Sequence, residues 1–144
     1  MSASPDSAPE GLAALLGYEW DGRAASSLSY GVVLVTRRRA RLFADEKTAD
    51  RIGVLLQEAA TACGCRLTSC DVKPTSVRLE VEAPPTMSPH VVVTRLRRDA
   101  AGALIEEDEA IRRRVAVFTR RYLVTTGPVP DADWRAFIGG MADA

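Results

Sequence analysis

The chain is poor in the residues that most often build a chemical site. Its 144 residues include one histidine, His90, and three cysteines, Cys63, Cys65 and Cys70. A lone imidazole cannot supply a histidine-rich metal centre, and the cysteine spacing fits neither paired zinc ligands nor a Cys-x-x-Cys redox site. Cys63-Gly64-Cys65 and Cys70 are therefore expected to be reduced, partly buried thiols. His90 follows Ser88-Pro89, a cap and first-turn pair that starts a helix, and is expected to be solvated surface. No apolar run approaches the roughly 20 residues that cross a membrane. The Ser/Pro/Ala-rich start lacks the charged-then-apolar order of a signal peptide, so a cytoplasmic location is expected. Lysine is scarce as well: of 19 basic residues only Lys47 and Lys73 are lysine, leaving 17 arginines. Formal net charge is zero, which argues against the bulk attraction of nonspecific nucleic-acid binders. Arginine's planar fork suits phosphates, although an Arg-heavy, Ala-rich composition is also what a GC-rich genome produces.

The length predicts one domain. Residues 1–26 are rich in Ser, Pro, Ala and Gly and read as a flexible arm, with Leu12-Ala13-Ala14-Leu15-Leu16, Tyr18 and Trp20 available to dock; residues 27–144 form the domain. A strand is expected from about Ser29 to Arg37. A helix follows from about Asp45 to Ala62, with Ile52, Leu55, Leu56, Ala59, Ala60 and Cys63 on one face and Gly64 ending it. Period-two alternation predicts strands over about Arg66–Val72 and Ser76–Glu82. After Pro84-Pro85, Ser88 starts a second long helix that buries Val92, Val93, Leu96, Ala100, Ala103 and Leu104. Glu106 to Val117 is expected to be helical or irregular. A fourth strand covers about Thr119–Thr125, and Asp131 caps a short last helix that Gly139-Gly140 ends. The order βαββαβα implies an α+β fold: a ferredoxin-like or RRM-like antiparallel four-stranded sheet with helices on one face.

The most informative stretch is Pro74-Thr75-Ser76-Val77-Arg78-Leu79-Glu80-Val81. It follows Tyr30-Gly31-Val32-Val33-Leu34-Val35-Thr36-Arg37-Arg38-Arg39 and precedes Ala83-Pro84-Pro85-Thr86-Met87-Ser88-Pro89, Arg95-Leu96-Arg97-Arg98, Tyr122-Leu123-Val124-Thr125-Thr126-Gly127 and Phe137-Ile138. In this order, from about Tyr30 to Met141, the series resembles the small HUH single-tyrosine transposases of bacterial insertion sequences, the IS200-like transposase domain. In that family the strand after the proline reads Asp-His-hydrophobic-His, and its imidazoles hold a divalent metal on the scissile phosphate. A tyrosine on the last helix attacks that phosphate and becomes joined to DNA, and a glutamine one turn later completes the metal site. The resemblance places Ser76 and Arg78 at the histidines, Phe137 at the tyrosine and Met141 at the glutamine. Phe and Met offer no nucleophilic or hard-ligand oxygen, and arginine has no lone pair for a cation. The resemblance thus implies that every catalytic position is lost and that no metal or other cofactor is held. Tyr18, Tyr30 and Tyr122 remain, none on a helix matched to the nucleophile.

Three Arg-rich places are candidate nucleic-acid contacts: Arg37, Arg38, Arg39 and Arg41 after the first strand; Arg95, Arg97 and Arg98 on the second helix; Arg120 and Arg121 entering the fourth strand. Arg78 joins them as a residue that holds a phosphate where the cation sat. The alternative is local pairing, with Asp45, Asp99 and Glu106-Glu107-Asp108-Glu109 for the clusters, and with Glu80 or Glu82 for Arg78. Arg112-Arg113-Arg114 is expected to pair with the acidic run it follows. The resemblance implies a homodimer joined sheet edge to sheet edge, catalytically inactive, binding hairpin or single-stranded DNA as a domesticated regulator. A dimeric protein-interaction module that has lost DNA binding is the other reading, and an active transposase with rewired residues a third. No small-molecule substrate and no membrane partner are implied.

Overall fold

The computed structural model describes residues 19–20, 25–26, 28–114 and 116–140. Within the expected N-terminal arm, two short strands, β1 (Glu19–Trp20) and β2 (Ala25–Ser26), pair antiparallel. Met1 to Tyr18 and residues 21–24 lie outside the described residues, as does Met141.

The main sheet consists of β3 (Ser29–Thr36), β4 (Arg66–Lys73), β5 (Ser76–Glu82) and β6 (Phe118–Thr126) in the spatial order β4-β5-β3-β6. Every neighbouring pair is antiparallel. This is the ferredoxin-like order expected from the sequence. β3 lies inside the sheet and is buried along nearly its whole length, which its Val-Val-Leu-Val run requires. β4 is an edge and mostly exposed.

Helix α1 (Glu46–Ala62) starts at Asp45, whose carboxylate accepts from the Lys47 N–H at 3.3 Å and the Thr48 hydroxyl at 3.0 Å. It stops because Gly64 adopts φ +80. That left-handed turn lets the Gly64 N–H reach the Thr61 carbonyl at 3.2 Å and the Cys65 N–H reach Ala60 at 2.8 Å, a Schellman cap. Helix α2 (Pro89–Glu107) starts at Ser88, whose hydroxyl accepts from the Val91 N–H at 3.3 Å. Asp108 ends α2 and caps the one-turn α3 (Glu109–Arg112), accepting from Ala110 N–H at 3.0 Å and Ile111 N–H at 3.3 Å.

α1 and α2 cover one face of the sheet. Ile52, Leu55, Leu56, Ala59 and Ala60 from α1 and Val92, Val93, Leu96, Ala100 and Leu104 from α2 join Val32, Leu34, Val77, Leu79 and Val81 in the main core. The last helix, α4 (Asp131–Gly140), departs from the expectation of helices on one face only. Its Trp134, with Phe137 and Ile138, packs in a second cluster with Val33, Val35, Leu123 and Val129. Strand alternation explains the division: Val33 and Val35 point away from Val32 and Leu34, so β3 has two apolar faces and each must be covered. Asp131 lies in the first turn of α4 rather than before it, and Gly139 and Gly140 form the last positions of the described helix.

Candidate functional site

Ser76 and Arg78 lie at alternate positions of β5, on the face that α4 covers. Ser76 is fully buried. Its hydroxyl accepts a hydrogen bond from the Trp134 indole N–H at 3.2 Å. Arg78 is about three-quarters buried, with a side chain 24% exposed. It donates to the Val129 carbonyl at 3.2 Å and to the Asp131 carboxylate, and its other terminal nitrogen lies 3.5 Å from an Asp71 carboxylate oxygen. Its guanidinium carbon also lies 4.2 Å from the centroid of the Trp134 ring. One side chain thus joins the sheet, through Asp71, to the start of α4. The guanidinium in return holds the Asp131 carboxyl below the usual carboxylate range, first by its hydrogen bond and then by its charge.

This arrangement corrects the expected pairing of Arg78. Glu80 and Glu82 share its face, but Glu82 is taken by Arg66 across the strand pair at 2.6 Å, and the partners of Arg78 are Asp131 and Asp71. Beside the cluster is a cavity of about 430 Å³, bordered by Lys73, Ser76, Arg78, Asp131, Trp134 and Arg135. These residues do not fit a divalent cation. Arginine cannot ligate one, both carboxylates already meet the guanidinium, and among the described residues no group of three or more His, Cys, Asp or Glu is placed to hold a metal. Phe137 faces the sheet as part of the second cluster and presents no heteroatom.

The expected nucleic-acid arginines do not form a single patch. Arg39 donates to the Ile138 and Gly139 carbonyls at 3.3 and 3.1 Å, capping α4. Arg97 donates to the Thr119 and Arg120 carbonyls at 3.2 and 2.6 Å. Those carbonyls belong to the start of β6, where the register with β3 shifts. Arg98 meets its neighbour Asp99 at 3.1 Å. Arg41, Arg95, Arg120 and Arg121 are exposed, while Arg37 and Arg38 meet Arg113 and Arg114 around a small cavity. Of the acidic run, Glu107 pairs bidentately with Arg51 at 2.6 Å. Arg112 reaches the backbone carbonyls of Ile105 and Glu106 rather than a carboxylate. Among the described residues neither Arg113 nor Arg114 forms the expected ion pair with that run.

His90 is exposed but not merely solvated: its Nδ1 lies 2.6 Å from the Tyr122 hydroxyl. Cys63 and Cys65 have sulfurs 3.6 Å apart, and burial together with Cys63 pushes the Cys65 thiol up to about 12. At neutral pH that thiol is protonated and a poor nucleophile. Cys70 is exposed on β4, against the expectation that all three are partly buried.

A family model described as IS200-like transposase matches residues 24–139. Among solved structures, a protein of Deinococcus radiodurans R1 assigned as a transposase superposes with a TM-score of 0.76 at 23% identity, over 85% of this chain and 96% of that one. A REP-associated tyrosine transposase bound to a REP hairpin superposes with a TM-score of 0.52 at 10% identity, over 79% of this chain and 67% of that one. No curated protein matches.

Proposed function

This chain belongs to the IS200-like transposase family, and from that premise we propose that it binds structured or single-stranded DNA as a dimer without cutting it, as a domesticated regulator would. The observation that carries the reading is the Ser76–Trp134 and Arg78–Asp131 pairing. The positions that the resemblance assigns to the metal ligands are used here to fasten α4 to the sheet, and Phe137 gives that helix no nucleophile. DNA contacts fall to Arg37, Arg38, Arg41 and Arg95, which form no ion pair among the described residues, and to Arg120 and Arg121, which are exposed on β6. The solved relative bound to a hairpin supports a hairpin as the first ligand to try. Dimerisation rests on the long exposed edge strand β4, an open ladder that sheet-to-sheet pairing would close.

The competing reading, a dimeric interaction module that has lost DNA binding, is favoured by the zero net charge and by Arg39, Arg78 and Arg97 being consumed internally. The deciding measurement is a mobility shift with hairpin, single-stranded and duplex DNA at two salt concentrations, run beside light scattering. A shifted hairpin without a covalent adduct in magnesium or manganese, from both the parent and Phe137→Tyr, is expected. An adduct formed by the parent would overturn inactivity, and absence of any shift would favour the interaction module.

A further inference from the structure

Four arginines converge where β3 ends and the approach to β6 begins. Arg37 and Arg38 leave β3 in a 3-10 turn, Arg113 and Arg114 follow α3, and with Ala116 they border a cavity of about 230 Å³. The backbone draws the two segments together: the Arg37 N–H donates to the Val117 carbonyl at 3.0 Å, and Thr36 pairs with Phe118. Among the described residues no carboxylate borders this cavity. Among the described residues none of the four guanidinium groups forms an ion pair, whereas Arg51, Arg66, Arg78 and Arg98 all do. The turn is also strained, because Arg38 (φ 57) and Arg39 (φ 53) both adopt the left-handed conformation without being glycine. Arg39 is then anchored on the end of α4, which leaves Arg37 and Arg38 at the cavity.

Like charges gathered without counter-charges repel one another, and an anion seated among them relieves that repulsion. Guanidinium forks match phosphate oxygens in bidentate geometry. A phosphate group with two negative charges answers four cations better than a carboxylate or an internal phosphodiester, each of which carries one. The cavity is smaller than the roughly 300–1,000 Å³ of sites that enclose a whole drug-sized ligand, so it suits the phosphate group and leaves anything attached to it outside. We propose that Arg37, Arg38, Arg113 and Arg114 form a binding site for a dianionic phosphate group, as carried by inorganic pyrophosphate or by the phosphorylated end of a nucleic-acid strand. This site lies apart from the Ser76–Arg78 cluster; it shares Arg37 and Arg38 with the proposed DNA contacts but does not require that the chain bind hairpins.

The test is titration calorimetry of the full chain with inorganic pyrophosphate. Saturable binding is expected, weakened roughly tenfold or more in Arg37→Gln/Arg114→Gln by the loss of two charge-assisted contacts. Binding should be unchanged in Lys47→Gln, which removes a cation elsewhere, and partly restored in Arg37→Lys/Arg114→Lys, with circular dichroism confirming that each variant folds. A second arm adds single-stranded oligonucleotides bearing a 5′-phosphate, a 3′-phosphate or neither. Displacement of pyrophosphate by a phosphorylated strand but not by the hydroxyl-ended one assigns the site to strand ends, and no displacement by any strand assigns it to free anions. Failure of pyrophosphate to bind together with indifference to the end phosphate would overturn the proposal, as would equal binding by the Gln double variant. Neither result touches hairpin binding, which the mobility shift decides separately.

Discussion

Trp134→Ala tests whether α4 is fastened independently of the main core. Trp134 is 7% exposed, packs with Val33, Val35 and Val129, and donates to the buried Ser76 hydroxyl. A tryptophan buries roughly 150–250 Å², which at about 25 cal/mol per Å² contributes at most about 4–6 kcal/mol. Leaving the Ser76 hydroxyl without its partner adds about 1–3 kcal/mol. A ten-residue helix is not stable by itself in water. Once those contacts go, α4 should leave the sheet rather than stay over a cavity, and the measured global loss should stop near the docking free energy of the helix, about 3–5 kcal/mol. Hydrogen exchange read by mass spectrometry, with urea melts, checks this. Peptides covering 131–140 should lose protection while those covering 92–104, in the main core, keep most of theirs. Trp134→Phe retains the ring but strands the hydroxyl, so it should cost about 1–3 kcal/mol and leave α4 docked. Equal loss of protection in both peptides, or parental protection over 131–140 in Trp134→Ala, would refute the separation into two units.

Acid should release the same helix. Because Arg78 lowers the Asp131 pKa in the folded state, this carboxylate's contribution is complete above the ordinary aspartate range and is lost as pH falls through its lowered folded value. With Trp20 replaced by Phe, Trp134 fluorescence should therefore change below the usual aspartate range, and that step should vanish in Asp131→Asn; a step at or above the usual range would contradict the assignment. Gly31→Ala should also loosen α4, since a methyl group there would meet the Gly127 carbonyl oxygen, Thr125 Oγ1 at 2.7 Å and Val129 Cγ2 at 2.8 Å. Overpacking of this kind costs about 1–3 kcal/mol, so an unchanged thermal midpoint would show that the β6–α4 connection yields freely.

What the sequence made legible follows from how local each determinant is. α1 and α2 are written in a 3.6-residue apolar period with caps at Asp45, Ser88 and Gly64, and the strands in alternation, so their positions emerge within a residue or two. Arg78 illustrates the opposite case. Its sequence neighbours Glu80 and Glu82 were the visible partners, but Asp131 is 53 residues away and meets it only because α4 crosses the second face. The signal for that crossing was present in β3, where Val33 and Val35 are as apolar as Val32 and Leu34 and therefore need their own cover. Arg113 and Arg114 depart from the sequence expectation for a similar reason. Proximity in sequence to Glu106–Glu109 suggested pairing, whereas Glu107 turns to Arg51 on α1 and the turn after α3 carries the two arginines toward β3.

The residues at the positions that the resemblance assigns to metal ligands are held in place by one another. Replacing Arg78 with histidine would leave Asp71, Asp131 and the Val129 carbonyl without the donor that joins them, and it would take the guanidinium from the face of Trp134. Replacing Ser76 would remove the acceptor of a buried indole N–H. Each change carries the penalty of stranded polar partners before any metal is gained, and neighbouring changes of this kind do not add independently. Arg39 fastens the far end of α4, so even a rebuilt histidine pair would face a helix held at both ends and carrying phenylalanine at the nucleophile position. The cluster therefore behaves as one structural unit: its residues stabilise the closed face together, and on the proposed reading a histidine pair could be built at Ser76 and Arg78 only with a compensating change at Trp134 and Asp131.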